Sequence, residues 1–184
     1  MTDNELVSLS LINQEYFGIL MGRYEFKLRR YVRRITNVNN EDQEDILQDI
    51  FLKTYLNLNG FNKTLSFSSW IYRITHNEVV DWSRKEKTRK KHGKYDYDDE
   101  IFNWTEDTQH FLNKLELQNQ KKEIGTILNK LDVKYREVLV LKFIEDQSYR
   151  EISDILKKPE GTIATLINRA KKSFKLHYET FNEQ

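Results

Sequence analysis

Residues 148–170, SYREISDILKKPEGTIATLINRA, decide the fold. Ser148 with Glu151 three places on forms a capping box: the hydroxyl can accept from the amide of residue 151, and the carboxylate can reach back to the amide of residue 148. Ile152, Ile155 and Leu156 then face a core. Lys157-Lys158-Pro159 ends this helix, because proline disfavours helical geometry at Lys158. Glu160-Gly161-Thr162 starts another, with Ile163, Ile167, Ala170 and Phe174 as its buried stripe. Its other side carries Thr162, Thr165, Asn168, Arg169 and Lys172. Two helices, a tight turn and a polar, basic outer face describe a helix-turn-helix, whose second helix would enter the major groove of duplex DNA. Lys157, Lys158, Lys171, Lys172 and Lys175 supply cations for phosphates. An αα-hairpin with a solvated outer face fits the same pattern.

The rest of the chain also reads as helix. One proline and six glycines in 184 residues are too little punctuation for an all-β fold. Gln14 to Thr36 has Tyr16, Phe17, Leu20, Tyr24, Leu28, Tyr31 and Ile35 at steps that follow one helix face. After a turn at Asn37–Asn40, Glu41 to Leu58 predicts a helix burying Ile46, Leu47, Ile50, Phe51, Tyr55 and Leu58. Asn59 to Ser66 is a loop, and Ser66 opens a third helix running to about Lys91. His92 to Asp107 loses the period and is read as a linker, with helices resuming around Thr108 and a last compact unit over Lys121 to Phe181.

The net charge is +1, yet charge is strongly segregated. Arg23 to Arg34 holds six basic residues against one acid, Glu41 to Asp49 is purely acidic, Arg84 to Lys94 is basic, and Asp96 to Asp107 is acidic again. The absence of cysteine excludes disulfides and thiolate metal sites and suits a reducing cytoplasm. Met1 to Asn13 lacks the basic-then-apolar layout of a signal peptide, and no window approaches a membrane span, so a soluble cytoplasmic protein is expected.

Two faces of the N-terminal half carry candidate function. Asp45, Gln48, Asp49 and Leu52 recur at i, i+3, i+4 and i+7, opposite the apolar stripe. This face suits docking on a basic protein surface, or is a plain solvated one. Farther on, Trp70, Tyr72, Arg73, Asn77, Trp82 and Arg84 interleave aromatics with polar and basic groups, as surfaces that hold unstacked bases do. Core packing of Trp70 and Trp82 is the competing reading. The loop Gly60 to Ser66 stands at the entrance to this helix as a candidate base pocket.

Together these segments resemble the sigma-70 family, specifically its compact extracytoplasmic-function (group IV) members. Asp42-Gln-Glu-Asp-Ile-Leu-Gln-Asp-Ile-Phe51 is similar to the family's acidic segment. Phe67-Ser-Ser-Trp-Ile-Tyr-Arg-Ile-Thr-His-Asn77, then Asp81 and Arg84, resembles its promoter-melting helix. Leu131, Arg136, Leu139 and Leu141, then Tyr149 to Ser153, Gly161 to Ile163 and Asn168 to Ala170, resemble its helix-turn-helix. The resemblance covers region 2 over about Tyr16 to Lys91 and region 4 over about Lys121 to Tyr178.

It implies an all-α protein of two small domains: a region 2 bundle at 1–91, an acidic linker at 92–119 and a region 4 unit at 120–184. It implies that core RNA polymerase is the partner, held at its β′ clamp helices and β flap, with Asp45, Gln48, Asp49 and Leu52 docking on the clamp. It assigns the melted minus-ten strand to Phe61, Asn62 and Lys63 of the loop with Arg73, Asn77 and Arg84. It assigns the minus-thirty-five duplex to Thr162, Thr165, Asn168, Arg169 and Lys172. An anti-sigma protein is a further partner that such factors commonly have; no cofactor, metal or catalytic residue is implied. The linker would thread the polymerase channels near the RNA exit path. One departure is Ala164, where family members often carry a basic residue. Leu166 is apolar too, so the minus-thirty-five preference should differ from the well-known ones, since neither side chain can read guanine bidentately.

Two other functions compete. A free-standing helix-turn-helix regulator would bind DNA unaided, commonly as a dimer, and would leave the Asp45 stripe without purpose. A metal-dependent nuclease using Glu41, Asp42, Glu44, Asp45 and Asp49 is disfavoured because these acids spread around their helix, no glycine-rich phosphate loop exists, and the four histidines are scattered.

Overall fold

The computed structural model describes residues 1–36, 38–92 and 123–182, all helix and connecting turns. The expected linker and the helix expected to resume around Thr108 fall mainly on 93–122, outside the described residues.

The chain opens with a helix that the apolar period alone did not flag: α1, Asp3–Ser10. Thr2 and Glu5 form a full capping box at its start. Eight residues are too few for a stable isolated helix, so α1 depends on docking, with Leu6 and Val7 wholly buried. Asp3 accepts from both Arg23 and Tyr24 of the next helix.

The N-terminal unit is completed by α2 (Glu15–Thr36), α3 (Asn40–Asn57) and α4 (Phe67–His92), with a short 3-10 turn at Leu58–Gly60. Asn39 caps α3 by accepting from the Asp42 amide at 2.8 Å. The α2 stripe packs as its period predicts: Leu20, Tyr24, Leu28, Tyr31 and Ile35 are buried, and Tyr16 and Phe17 are half-buried against the core. On α3 the buried stripe is Gln43, Ile46, Leu47, Ile50 and Thr54. Tyr55, expected inside, is 46% exposed. At 100° per residue it lies about 110° round the helix from the stripe centre, so its ring meets only the rim of α2, edge-on to Phe17 at 5.1 Å.

The C-terminal unit comprises α5 (helical over 123–130), α6 (Val133–Phe143), α7 (Tyr149–Leu156) and α8 (Glu160–Asn182). Arg136 organises its first half. Only 6% exposed, its guanidinium donates to the carbonyls of Leu128 at 2.9 Å, Asn129 at 2.8 Å and Leu131 at 3.4 Å. These lie at and just past the end of α5, where carbonyls run short of helical donors and the helix dipole favours a cation; the Leu128 carbonyl also accepts from the Leu131 amide.

The helix-turn-helix forms as its sequence dictates. Ser148 and Glu151 exchange both capping-box bonds, at 3.2 and 2.8 Å. Lys157 takes the left-handed conformation, φ 53°, that closes α7, and Pro159 begins α8 by accepting from the amides of Thr162 and Ile163. Replacing Ser148 by alanine removes the acceptor for one otherwise unpaired amide, so the variant should lose about 1 kcal/mol in denaturant unfolding.

Candidate polymerase and nucleic-acid interfaces

The outer face of α3 is the clearest docking surface. Asp45, Gln48, Asp49 and Leu52 are all exposed, centred about 180° round the helix from the buried stripe. Leu56, 68% exposed, continues the apolar end. Neither Asp45 nor Asp49 has an ion-pair partner among the described residues. Glu44 differs: Arg29 holds it, and that hydrogen bond lowers its pKa. Among the described residues no three His, Asp or Glu groups converge as a metal site would need.

The second surface joins α4 to the loop before it. Arg73, Asn77 and Arg84 fall within about 40° of one another around the helix, with Trp70 beside them. Asn77 and Arg84 are exposed, Arg73 and Trp70 half-buried. Trp82 lies on the other side and packs on the core. Tyr72, expected in the aromatic set, is 1% exposed. The period of the helix turns it inward, where it serves packing and hydrogen bonding.

In the loop, Phe61 also departs from expectation. It is 7% exposed and packs against Phe67 at 5.5 Å and Trp70 at 5.1 Å. A ring in this aromatic cluster is a pillar under the loop; what the loop offers outward is Asn62, Lys63, Thr64 and Leu65. Asn62 Oδ1 accepts from the Thr64 amide and hydroxyl, fixing a tight turn. Helix α1 braces that turn: Lys63 Nζ donates to Ser8 Oγ at 2.8 Å, and Asn4 Nδ2 to the Lys63 carbonyl at 3.4 Å. Sequence reading missed this brace, although the Thr2–Glu5 capping box was a usable signal.

The third surface is α8. Thr162, Thr165, Asn168, Arg169 and Lys172 are all exposed on it. Thr165 donates its hydroxyl to the Gly161 carbonyl at 2.9 Å, which leaves its oxygen to accept. Leu166 is half-buried against the core, so it is spent on packing. Ala164 is half-buried as well.

Known proteins match this arrangement. The family model for Sigma-70 region 2 matches residues 20–89, and that for Sigma-70 region 4 matches residues 121–174. The ECF RNA polymerase sigma factor SigW of Bacillus subtilis (strain 168) is 31% identical over 175 residues, 89% of each chain. The chain belongs to the sigma-70 family. As a sigma factor it directs promoter-specific transcription initiation, with α2 to α4 in region 2 and the helix-turn-helix in region 4. Its fold is shared by CnrH, solved with the cytosolic domain of CnrY, at a TM-score of 0.70 and 24% identity over 97% of each chain. It is shared too by the sigma factor RpoE of Bartonella quintana, solved with the anti-sigma factor NepR, at a TM-score of 0.70 and 19% identity over 92% of this chain and 98% of that one.

The two regions of this sigma factor pack on each other, α4 against α7 and α2 against α6. Two carboxylates bridge the seam. Glu137 accepts from the Tyr31 hydroxyl at 2.8 Å and lies 2.6 Å from His76 Nδ1. Glu145 accepts from Arg34 at 2.9 Å and from the Tyr72 hydroxyl at 2.5 Å. Burial, then the charge of Glu137, raises the Tyr31 pKa well above the phenol range; burial and Glu145 do the same at Tyr72, so both hydroxyls stay protonated donors. Burial lowers the Arg34 pKa, with Arg30 the next cause. No spacing in the sequence pairs residues 106 and 111 apart; the one usable hint was Glu137, a carboxylate directly before the apolar run Val138–Leu141.

Proposed function

We propose that this sigma factor binds core RNA polymerase through Asp45, Gln48, Asp49 and Leu52 at the β′ clamp helices, with region 4 at the β flap. Asn62 and Lys63 of the loop, with Arg73, Asn77 and Arg84, hold the melted minus-ten strand. Phe61 shapes that loop from beneath. Thr162, Thr165, Asn168, Arg169 and Lys172 read the minus-thirty-five duplex. Residues 1–91 act as region 2, 92–119 as the connection and 120–184 as region 4. No helix among the described residues is long and apolar enough to cross a membrane; we place the protein's work in the cytoplasm, on polymerase and promoter DNA, with an anti-sigma protein as a further partner. The chain does no chemistry itself. Binding energy offsets the few kcal/mol per base that unstacking costs.

What carries this reading is the outward placement of three separate stripes, on α3, α4 and α8, in the order the two matched regions require. Run-off transcription with core polymerase and a library of promoter fragments tests it. Specific transcripts should appear, and should vanish with Asp45→Ala or Gln48→Ala. If core polymerase neither binds the protein nor initiates with it, the docking assignment fails, and a free-standing regulator that binds duplex unaided takes its place.

Arg169 is the strongest base reader available on α8, because its planar guanidinium fork matches guanine O6 and N7 in fixed geometry, which the flexible ammonium of Lys172 does not. Arg169→Ala should weaken initiation on the selected promoter by about 10- to 100-fold and relax preference at one minus-thirty-five position. Selection from the same library with the variant measures both; an unchanged preference at every position would remove Arg169 from the reading set.

A further inference from the structure

We infer that helix α1 is a positioning element of the minus-ten site: Asn4 and Ser8 clamp Lys63, and so set the loop that receives an unstacked base. The inference rests on the minus-ten reading proposed above for its consequence, and on the hydrogen bonds between α1 and the loop for its mechanism. Neither residue lies in the segment matched to Sigma-70 region 2, which begins at residue 20.

Geometry makes the first argument. Asn4 and Ser8 stand one turn apart on α1 and share a face. Asn4 Nδ2 donates to the Lys63 carbonyl at 3.4 Å, and Lys63 Nζ donates to Ser8 Oγ at 2.8 Å. The Ser8 hydroxyl itself donates to the Asn4 carbonyl at 2.8 Å, which leaves its oxygen to accept and fixes the direction of the bond from Lys63. Among the described residues these are the only long-range hydrogen bonds that residues 61–66 make; the others are local, above all from the Thr64 and Leu65 amides to Asn62. The clamp is as firm as α1. Leu6 and Val7 are wholly buried, Asp3 accepts from Arg23 at 2.9 Å and from Tyr24, and Arg23 also donates to the Met1 carbonyl at 2.9 Å.

Preorganisation makes the second. Ordering a loop on its ligand costs binding free energy, and a loop already held avoids that cost. Phe61, packed on Phe67 and Trp70, supports the loop from beneath, while α1 holds it from the side. The clamp also aims a charge. An ammonium has three donors. Ser8 takes one of those on Lys63, and no carboxylate pairs with Lys63 among the described residues. Two donors and the whole charge are left for a phosphate of the strand. Loss of the clamp should therefore be felt at the base that the loop receives and not along the whole strand.

The test uses the full-length protein bound to core polymerase. Its probe is the labelled single strand of the minus-ten element from the promoter selected above, intact or with an abasic site at each position in turn. Asn4→Ala combined with Ser8→Ala should weaken binding of the intact strand by about tenfold, the scale of two hydrogen bonds lost. Discrimination between intact and abasic strands should fall at one position and hold at the others. Ser8→Thr, which keeps the hydroxyl, should bind as wild type does, whereas Ser8→Ala alone should not. Affinity for core polymerase should be the same for every variant, since the α3 face is untouched. In the free protein, the double variant should exchange its Thr64 and Leu65 amide hydrogens about fivefold faster or more. Unchanged exchange at both amides overturns the clamp. Faster exchange with undiminished discrimination at every position overturns its part in base selection. An equal fall at all positions, or a Ser8→Thr variant as weak as Ser8→Ala, does so too, because either marks general damage to region 2. If the wild-type complex shows no preference for the intact strand, the minus-ten reading fails instead, and the exchange result still decides the clamp.

Discussion

Arg136→Met should cost about 3–4 kcal/mol and lower the melting temperature by about 10 °C. Methionine fills much of the space of the arginine stem, so packing loss is small. The loss comes from the carbonyls of Leu128, Asn129 and Leu131, which share the buried guanidinium as donor. The Leu128 carbonyl keeps the Leu131 amide as donor, while those of Asn129 and Leu131 lose the guanidinium and need water to replace it. Because burial already lowers the Arg136 pKa, these bonds are what make the charge tolerable there. Arg136→Lys is the informative control: an ammonium keeps the charge but cannot reach three carbonyls in the fixed fork of a guanidinium, so it should fall between wild type and methionine. Thermal melts followed at 222 nm report both. A methionine variant within 1 kcal/mol of wild type would show that water caps α5 adequately and that Arg136 is dispensable.

The second large effect concerns binding. Asp45→Lys combined with Asp49→Lys should weaken association with core polymerase by at least about 100-fold, the scale expected when opposite charges across an interface become like charges. Stability should change by less than about 0.5 kcal/mol, since both side chains are exposed. The small cost that remains comes from Asp49, whose charge lies near Lys53 one turn on and helps raise its pKa. Titration of labelled sigma factor with core polymerase gives the ratio, and a steep decline of wild-type affinity with salt should accompany it. Wild-type affinity in the doubly reversed protein would move the docking surface off α3 altogether. Arg29 and Glu44, on the flank of the same helix pair, are then the wrong place to look as well, because each already occupies the other.

Local order was legible wherever neighbours along the chain settle it. The capping box at Ser148 and Glu151, the break before Pro159 and the apolar period of α2 act over three or four residues. The sequence therefore places them without knowledge of the rest of the fold. The same holds for the outward stripes on α3 and α8, since a helix fixes which residues share a face. Judgement by residue type alone failed at the edges of those faces. Tyr55, Phe61, Tyr72 and Leu166 have side chains that suit either a core or a surface, and what decides among them is which neighbour covers that angle of the helix. Phe61 is buried because Phe67 and Trp70 close over it; Tyr55 stays exposed at the rim of α2, where Phe17 meets it edge-on.

From the sequence come the helical class, the starts and ends of α3, α7 and the turn into α8, the family resemblance and the outward stripes. Tertiary structure alone decided that α1 folds onto α2 and braces the loop at Lys63, that Arg136 caps a helix it does not belong to, and that Glu137 and Glu145 join region 4 to region 2. The reason is physical. Helix period and caps are contacts between residues a turn apart, fixed by backbone geometry. The pairing of Tyr31 with Glu137 or Arg34 with Glu145 exists only once two surfaces, each built from several helices, have found one another.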